Sequence, residues 1–328
     1  MQHRNFGRTH RPVSEIGFGA WQISGAWGPV DEAQALAAIH GALDAGINFI
    51  DTADVYGNGL SEQLIAKALR GRSGTPPFIA TKIGRRSRPH VAEAYTAETL
   101  TGFVERSLTN LEVEILDLVQ LHCPPPSVYY MPEVFEALDG LVTTGKIRAY
   151  GVSVEKVEEA LKAIEYPNLS SVQIVFNMFR QRPAELFFAE AKRRGVSVIV
   201  RLPLSSGLLS GKMTAQTVFD EKDHRNFNRF GQSFDRGETF SGLDYDVALR
   251  AVEEIRKLVP EGMTMAQFAL RWVLMHDAVT VAIPGARNAE QASGNASSSG
   301  MPAVSQSTMQ ALAQIYDHHA KAQVHQRW

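Results

Sequence analysis

Short β-branched or apolar runs alternate along the chain with longer stretches whose apolar residues recur every three or four positions. These are the two periodicities that strands and amphipathic helices impose. Eight runs read as strands: Glu15–Gly19, Asn48–Asp51, Phe78–Lys82, Leu116–His122, Ala149–Val152, Val172–Phe176, Ser197–Val200 and Ala278–Ile283. Between them the spacing predicts helices over Asp31–Ala45, Ser61–Leu69, Ala97–Leu111, Glu133–Thr144, Val154–Ile164, Glu185–Arg194 and Tyr245–Leu258. Strict alternation of this kind predicts a parallel sheet with helices packed outside it, and eight such units close into a (β/α)8 TIM barrel. Ahead of the first strand, Gln2–Arg4 and Val13–Ser14 flank Phe6-Gly7-Arg8-Thr9 and predict a β-hairpin that plugs the closed end. Two extra helices, Thr264–Met275 and Ser305–His318, lie outside the repeating unit, and about 45 residues rich in Gly, Phe, Asp and Arg follow the seventh strand; uncommitted loops of that length are usually functional.

No shift in composition divides residues 1–328, so the chain reads as one barrel domain. An open doubly wound sheet would need G-x-G-x-x-G after the first strand, and Gly17-Phe18-Gly19-Ala20-Trp21-Gln22 lacks the third glycine. Gly207-Leu208-Leu209-Ser210-Gly211-Lys212-Met213 imitates a P-loop but has too few residues between its glycines, and Met213 stands where Ser or Thr must bind magnesium.

The hydrophobic fraction of 44%, the charged fraction of 21% and a net charge of −2 give no reason to expect nucleic acid or an anionic membrane as partner. A small molecule is the better expectation, and a homo-oligomer is compatible with the sequence. A single cysteine, Cys123, rules out an internal disulfide and fits a reducing compartment. The first residues lack the apolar core of a signal peptide, and no run approaches the roughly 20 apolar residues of a membrane span, so the expected location is cytoplasmic.

Asp51, Lys82 and His122 each end a predicted strand, and Tyr56 follows Asp51 within the turn-forming Asp54-Val55-Tyr56-Gly57-Asn58-Gly59. Singly, each has an ordinary structural reading: a turn aspartate, a half-buried aromatic, a surface charge, a satisfied core histidine. Jointly they converge on the mouth of a barrel, where catalytic side chains belong. A phenol is a poor acid at neutral pH, but a neighbouring ammonium stabilises its anion and is expected to lower its pKa. The lysine in turn needs a carboxylate to stay charged inside an apolar barrel, and Asp51 can supply it. With His122 hydrogen-bonding the substrate oxygen, the set can protonate an oxygen while hydride arrives from a cofactor.

At these residues the chain resembles the aldo-keto reductase superfamily. The resemblance runs through Gly17-Phe18-Gly19-Ala20-Trp21, Asn48 to Gly57 with Ser61-Glu62, Ala80-Thr81-Lys82, Asp117 to His122, Gly145-Lys146-Ile147-Arg148 leading to Gly151-Val152-Ser153, Val172-Gln173 with Asn177, Pro203-Leu204, Ser206-Gly207 to Lys212, and Ile283-Pro284-Gly285 with Gln291 and Asn295. It implies a barrel using NADP(H) on a small carbonyl or sugar-like substrate, without a metal. It also implies that Asp51, Tyr56, Lys82 and His122 form a catalytic tetrad with Tyr56 as proton donor. Gly19 and Trp21 would line the cofactor site, Ser153 and Gln173 would hold the nicotinamide carboxamide, and Leu202, Leu204, Ser206, Leu208 and Lys212 the pyrophosphate. Arg287, Gln291 and Asn295 would meet the adenosine end, with Arg287 clamping a 2′-phosphate. Arg201 stands where many relatives place an aromatic that stacks on the nicotinamide, and a guanidinium plane can stack too. Channel-regulating β subunits are similar to the same family, which keeps a cofactor-binding sensor with slow turnover as the alternative, beside a sugar or alcohol dehydrogenase running in the oxidative direction.

Trp21, Trp27, Tyr129, Tyr130 and Phe227 are candidate substrate walls, and Cys123-Pro124-Pro125-Pro126 should stiffen one of them. Asp223 to Phe230 mixes cations and aromatics and is expected to form a lid. Trp328 is expected to dock on its own barrel mouth or on a neighbouring subunit.

Overall fold

The structure is a computed structural model that describes residues 1–25, 27–28 and 31–328. β1 (His3–Phe6) and β2 (Arg11–Ser14) pair antiparallel, with His3 opposite Ser14 and Phe6 opposite Arg11. Eight parallel strands follow: β3 (Phe18–Gly19), β4 (Phe49–Asp51), β5 (Phe78–Ile83), β6 (Leu118–His122), β7 (Tyr150–Ser153), β8 (Ser171–Val175), β9 (Ser197–Arg201) and β10 (Val279–Ala282). Each bonds to the next in that order, and parallel bridges from Ile16 to Ala282 and from Gly19 to Gly285 close the sheet into the expected (β/α)8 barrel. Gly19 is required at that closure, because a Cβ there would stand 2.8 Å from the Ile283 carbonyl oxygen.

Side chains alternate across a strand, so positions two apart share a face. Phe49 and Asp51, then Phe78, Ala80 and Lys82, then Leu118, Gln120 and His122, then Ile199 and Arg201 therefore point together into the barrel. The lower residues of these sets, with Ala149, Val281 and Ile283, form a buried apolar floor that includes Phe6 and Val13 from the hairpin. The Phe6 ring lies 4.7 Å from that of Phe78 and 5.7 Å from that of Phe49, so the hairpin plugs the closed end as expected. The alternate residues, such as Ile50, Ile79, Val119, Val152 and Val198, join the larger core between sheet and helices.

The helical spacing is reproduced with ends shifted by a few residues, except in two places. The helix that packs on β10 is Met265–Leu274, expected outside the repeat, whereas Tyr245–Arg256 packs on the late helix beginning at Gln306. The sequence reading also misses Ala289–Ser297, which packs on Glu32–Asp44. Small residues make that contact: a Cβ on Gly41 would lie 2.7 Å from the Ala289 Cβ, and such a seam leaves no apolar periodicity to read. No helix among the described residues is long and apolar enough to cross a membrane.

Replacing Phe6 by Ala should cost about 3–5 kcal/mol, as for other buried aromatics. Urea denaturation reads this directly; a loss below about 1 kcal/mol would mean that the hairpin does not complete the core.

Candidate active site

The register sets the upper interior residues at neighbouring levels: Asp51 opposite Ala80, Lys82 opposite Gln120, and His122 opposite Ser153, which is itself opposite Gln173. Lys82, 1% exposed, extends its ammonium to Asp51 Oδ1 at 2.6 Å, to the Thr52 carbonyl at 2.8 Å and to the Tyr56 hydroxyl at 3.3 Å. Three donors thus meet three acceptors, and the ammonium is fully satisfied without water. The other Asp51 oxygen accepts from Gln173 Nε2 at 2.7 Å and from Gln120 Nε2 at 3.3 Å. Gln173 Nε2 donates to Gln120 Oε1 as well, at 3.2 Å, so both its N–H bonds are committed and its carbonyl oxygen is what it can offer a ligand. The Tyr56 ring lies between Trp21, stacked at 6.2 Å, and His122, edge-on at 5.8 Å. All four residues of the expected tetrad are therefore brought together.

Their electrostatics follow from burial opposed by charge. Burial is the largest single influence on Lys82 and works against its ammonium, but Asp51 and Tyr56 together outweigh it and the net direction is upward. For Tyr56 the expected lowering is overturned. Burial is the largest influence and raises its pKa above 10.0, Asp51 adds to the rise, and the opposing pull of Lys82 is smaller. The phenol is a firmly neutral acid. Burial, with help from Arg85, Lys82 and Arg201, depresses His122 well below 6.5, so its imidazole is neutral at physiological pH. Its Nδ1 is buried without a hydrogen-bond partner.

One cavity is lined by Asp51, Tyr56 and His122 together with Gly19, Trp21, Ser153, Gln173, Arg201, Leu202, Leu204 and Ser206. A groove continues from it past shared residues Gln22, Trp27, Leu204, Gly207 and Gly285, and takes in Lys212, Arg287, Gln291 and Asn295. Two expected contacts change character. Leu208 is buried in the core, leaving only its backbone for a ligand. The Ser206 hydroxyl is engaged at both ends, donating to the Glu238 carbonyl and accepting from the Phe240 amide, each at 3.1 Å. Gln291 and Asn295 brace the groove: Gln291 Oε1 accepts the Arg287 amide at 2.9 Å, and Asn295 donates to the Gly285 carbonyl at 3.2 Å. Leu202, Ser205 and Ser206 have φ of 51°, 47° and 55°, and Ser241 and Phe240 59° and 51°, so backbone strain gathers in the cavity wall at Leu202 and Ser206 and in the segment bonded to it.

Of the aromatic wall candidates, Trp21 and Trp27 line the cavity, whereas Tyr129 is buried in the core and Tyr130 is exposed under Lys162. Phe227 is exposed and packs on Phe234. The expected lid segment is docked, with His224 buried between Trp21 and Trp27 at 4.6 and 4.4 Å. Cys123 is buried, and burial pushes its thiol up to about 12. Trp328 docks on its own chain, its indole N–H donating to Asp235 Oδ1 at 2.8 Å.

Four participants were missed. Gln120 was legible, lying two residues before His122 on the same strand face. Arg85 comes from a turn, Arg225 from the one-turn helix His224–Phe227 and Glu238 from the 3-10 turn Arg236–Glu238, all too short to carry a periodic signal. Arg201 donates to the Val154 carbonyl at 2.9 Å and lies 3.7 Å from Glu238, which also accepts from Arg85 at 3.4 Å. Ligand atoms of Cys123, Glu155 and Glu238 lie within 4.8 Å of one another, but the two guanidiniums already supply cationic charge there.

The model of the Aldo/keto reductase family matches residues 15–317, and the chain belongs to that family. The aldo-keto reductase YhdN of Bacillus subtilis is 32% identical over 300 residues, 89% of this chain and 86% of the relative. The NADP(+) aldo-keto reductase yakc of Schizosaccharomyces pombe is 24% identical over 283 residues, 84% of this chain and 80% of its own. Among solved structures, the glycerol dehydrogenase AKR11B4 from Gluconobacter oxydans superposes with a TM-score of 0.79 at 31% identity, covering 97% of this chain and 95% of that one.

Because the folded His122 pKa is depressed, the unfolded chain binds the proton first as pH falls below about 6.5, and this group's contribution to stability is lost on acidification. The His122 C2–H resonance should show no inflection between about pH 6 and 8. A titration near 6.5 would contradict its buried, cation-flanked setting.

Proposed function

We propose that the protein is an NADPH-dependent carbonyl reductase acting on small aldehydes or ketones. The observation that carries this reading is the Lys82 ammonium held between a carboxylate and a phenol just beneath the open mouth of the barrel. A reduced nicotinamide bound here would supply hydride for the carbonyl carbon. Tyr56 gives its hydroxyl proton to the carbonyl oxygen, and the phenolate left behind is stabilised by Lys82. Asp51 keeps Lys82 charged, and Gln120 and Gln173 hold Asp51. The neutral His122 can hydrogen-bond the carbonyl oxygen without bringing a second charge.

The groove suits a phosphorylated dinucleotide. Lys212, Arg225 and Arg287 line it; burial first and then the Arg225 guanidinium hold the Arg287 pKa below its ordinary value even though Asp223, paired with Arg225 at 2.5 Å, partly offsets them, and a further anion would relieve what remains. The helix Ala289–Ser297 starts at its wall, capped by Asn288, and turns its amino end to the groove. Ser153 and the Gln173 carbonyl oxygen fit the carboxamide, and the backbone of Leu202–Ser206 the pyrophosphate.

A second reading, oxidation of an alcohol or polyol, is favoured by the glycerol dehydrogenase relative. It needs Tyr56 as a phenolate base, which the upward shift of its pKa opposes near neutrality. Steady-state NADPH oxidation with a panel of small aldehydes tests the proposal. Consumption that stops after one burst would instead indicate a redox-sensing subunit.

Tyr56→Phe should retain NADPH binding and lose turnover by orders of magnitude; near-normal turnover would remove Tyr56 as the proton donor. Arg287→Ala should weaken NADPH by about tenfold and leave NADH unaffected, as read by cofactor fluorescence titration. Equal losses for both cofactors would contradict a 2′-phosphate clamp.

A further inference from the structure

Beside Tyr56 and His122 the cavity wall carries charge that hydride and proton transfer do not use. Arg201 ends β9 and lines the cavity, and Arg85, three residues beyond Lys82, reaches it through a shared carboxylate; their side chains are 10% and 23% exposed. Each faces a different oxygen of one carboxylate: Arg85 lies 3.4 Å from Glu238 Oε1 and Arg201 3.7 Å from Oε2. Glu238 lines the cavity with Tyr56, His122 and Arg201. A further carboxylate within 4.8 Å of it, that of Glu155, is pushed up to about 7 by burial first and then by Glu238 and Asp235, so it carries only part of a charge near neutrality.

The segment bearing Glu238 is fastened from behind. Asp235 Oδ1 accepts both the Trp328 indole N–H at 2.8 Å and the Gly237 amide at 2.7 Å. The Arg180 guanidinium lies 4.4 Å from the centre of the Trp328 ring. That ring presses on both ends of the segment: a Cβ on Gly237 would stand 2.8 Å from it and one on Gly242 2.5 Å. On the cavity side, Ser206 bonds the Glu238 carbonyl, so the carboxylate is presented from a segment fixed on both faces.

We propose that Glu238 is a specificity-determining residue: it occupies Arg85 and Arg201, so that the site takes uncharged carbonyl compounds and turns away those bearing a carboxylate, and Trp328 is the positioning residue that keeps it there. A substrate carboxylate meets the Glu238 anion where it would otherwise find the Arg201 guanidinium of the cavity wall, with Arg85 next to it across the same carboxylate; guanidinium forks are the preferred partners of carboxylates. Like-charge contact of this kind is a recognised means of rejecting the wrong ligand. The inference rests on the carbonyl-reductase reading.

The test compares kcat/KM for benzaldehyde and 4-carboxybenzaldehyde at saturating NADPH, and benzoate affinity of the NADP+-loaded protein by tryptophan fluorescence. Wild-type protein should favour benzaldehyde. Glu238→Gln should move the ratio toward the carboxylated substrate by about tenfold or more, mainly through KM, and tighten benzoate by a similar factor. Glu238→Gln combined with Glu155→Gln should move both further, since Glu155 gains charge when its neighbour is neutralised. Trp328→Ala should shift the ratio in the same direction, and Trp328→Phe, which keeps a ring against Arg180, by less; a merely structural loss would lower both substrates alike. A wild-type preference for the carboxylated aldehyde, or ratios and benzoate affinities unchanged in the Glu238 variants, would overturn the proposal. If wild-type protein reduces neither aldehyde, it is the reductase reading that fails, and benzoate binding still decides the role of Glu238.

Discussion

An ammonium group buried inside an apolar barrel is the constraint around which this structure is arranged. A lone charge there would cost several kcal/mol, and the chain offsets it with a carboxylate, a backbone carbonyl and a phenol, each at hydrogen-bond distance. Each partner then imposes a demand of its own. Asp51 needs donors for its second oxygen, which accounts for two glutamines at the next levels of the barrel. Tyr56 must fold back over the mouth, which is done by the turn Tyr56–Gly59, where Gly57 and Asn58 have φ near 58° and 59°. Such a buried pair is poor at adding stability and strong at fixing geometry, because removing either member strands the other.

The same logic sets the barrel out in layers. Phenylalanines and aliphatic residues seal the closed end, amides and the ion pair fill the middle, and the phenol, imidazole and Arg201 guanidinium face the opening. Burial therefore increases the effect of every charge near the opening. It keeps Tyr56 protonated and His122 neutral, a combination suited to giving a proton rather than taking one. The charges that surround this layer are themselves paired, Lys82 with Asp51 and Arg201 and Arg85 with Glu238.

The barrel and the tetrad were legible because both are written in short-range pattern. Period-two alternation in β4, β5 and β6 carries Asp51, Lys82 and His122 to one face at one end, and no long-range knowledge is needed to see it. Three things were hidden. The helix Ala289–Ser297 packs through alanine against Gly41, so its buried face is not apolar enough to register as periodic. The sense of the Tyr56 shift depends on how burial, Asp51 and Lys82 balance, which residue identity does not reveal. The contacts of Arg85, Arg225, Glu238 and Trp328 join loops far apart in the chain, and irregular backbone such as that of Ser206 and Ser241 follows no repeat from which they could be placed.

The claim on which the rest turns is that Lys82 is a cation locked to Asp51 beneath Tyr56. Nitrogen-15 NMR of the Lys82 side chain, recorded against pH in lysine-labelled protein and assigned with a Lys82→Arg variant, measures this directly. The ammonium signal is expected to persist beyond pH 10.5, the ordinary lysine value, and to titrate lower in Asp51→Asn. A Lys82 signal already that of a neutral amine at pH 8, or one indifferent to Asp51→Asn, would contradict the account.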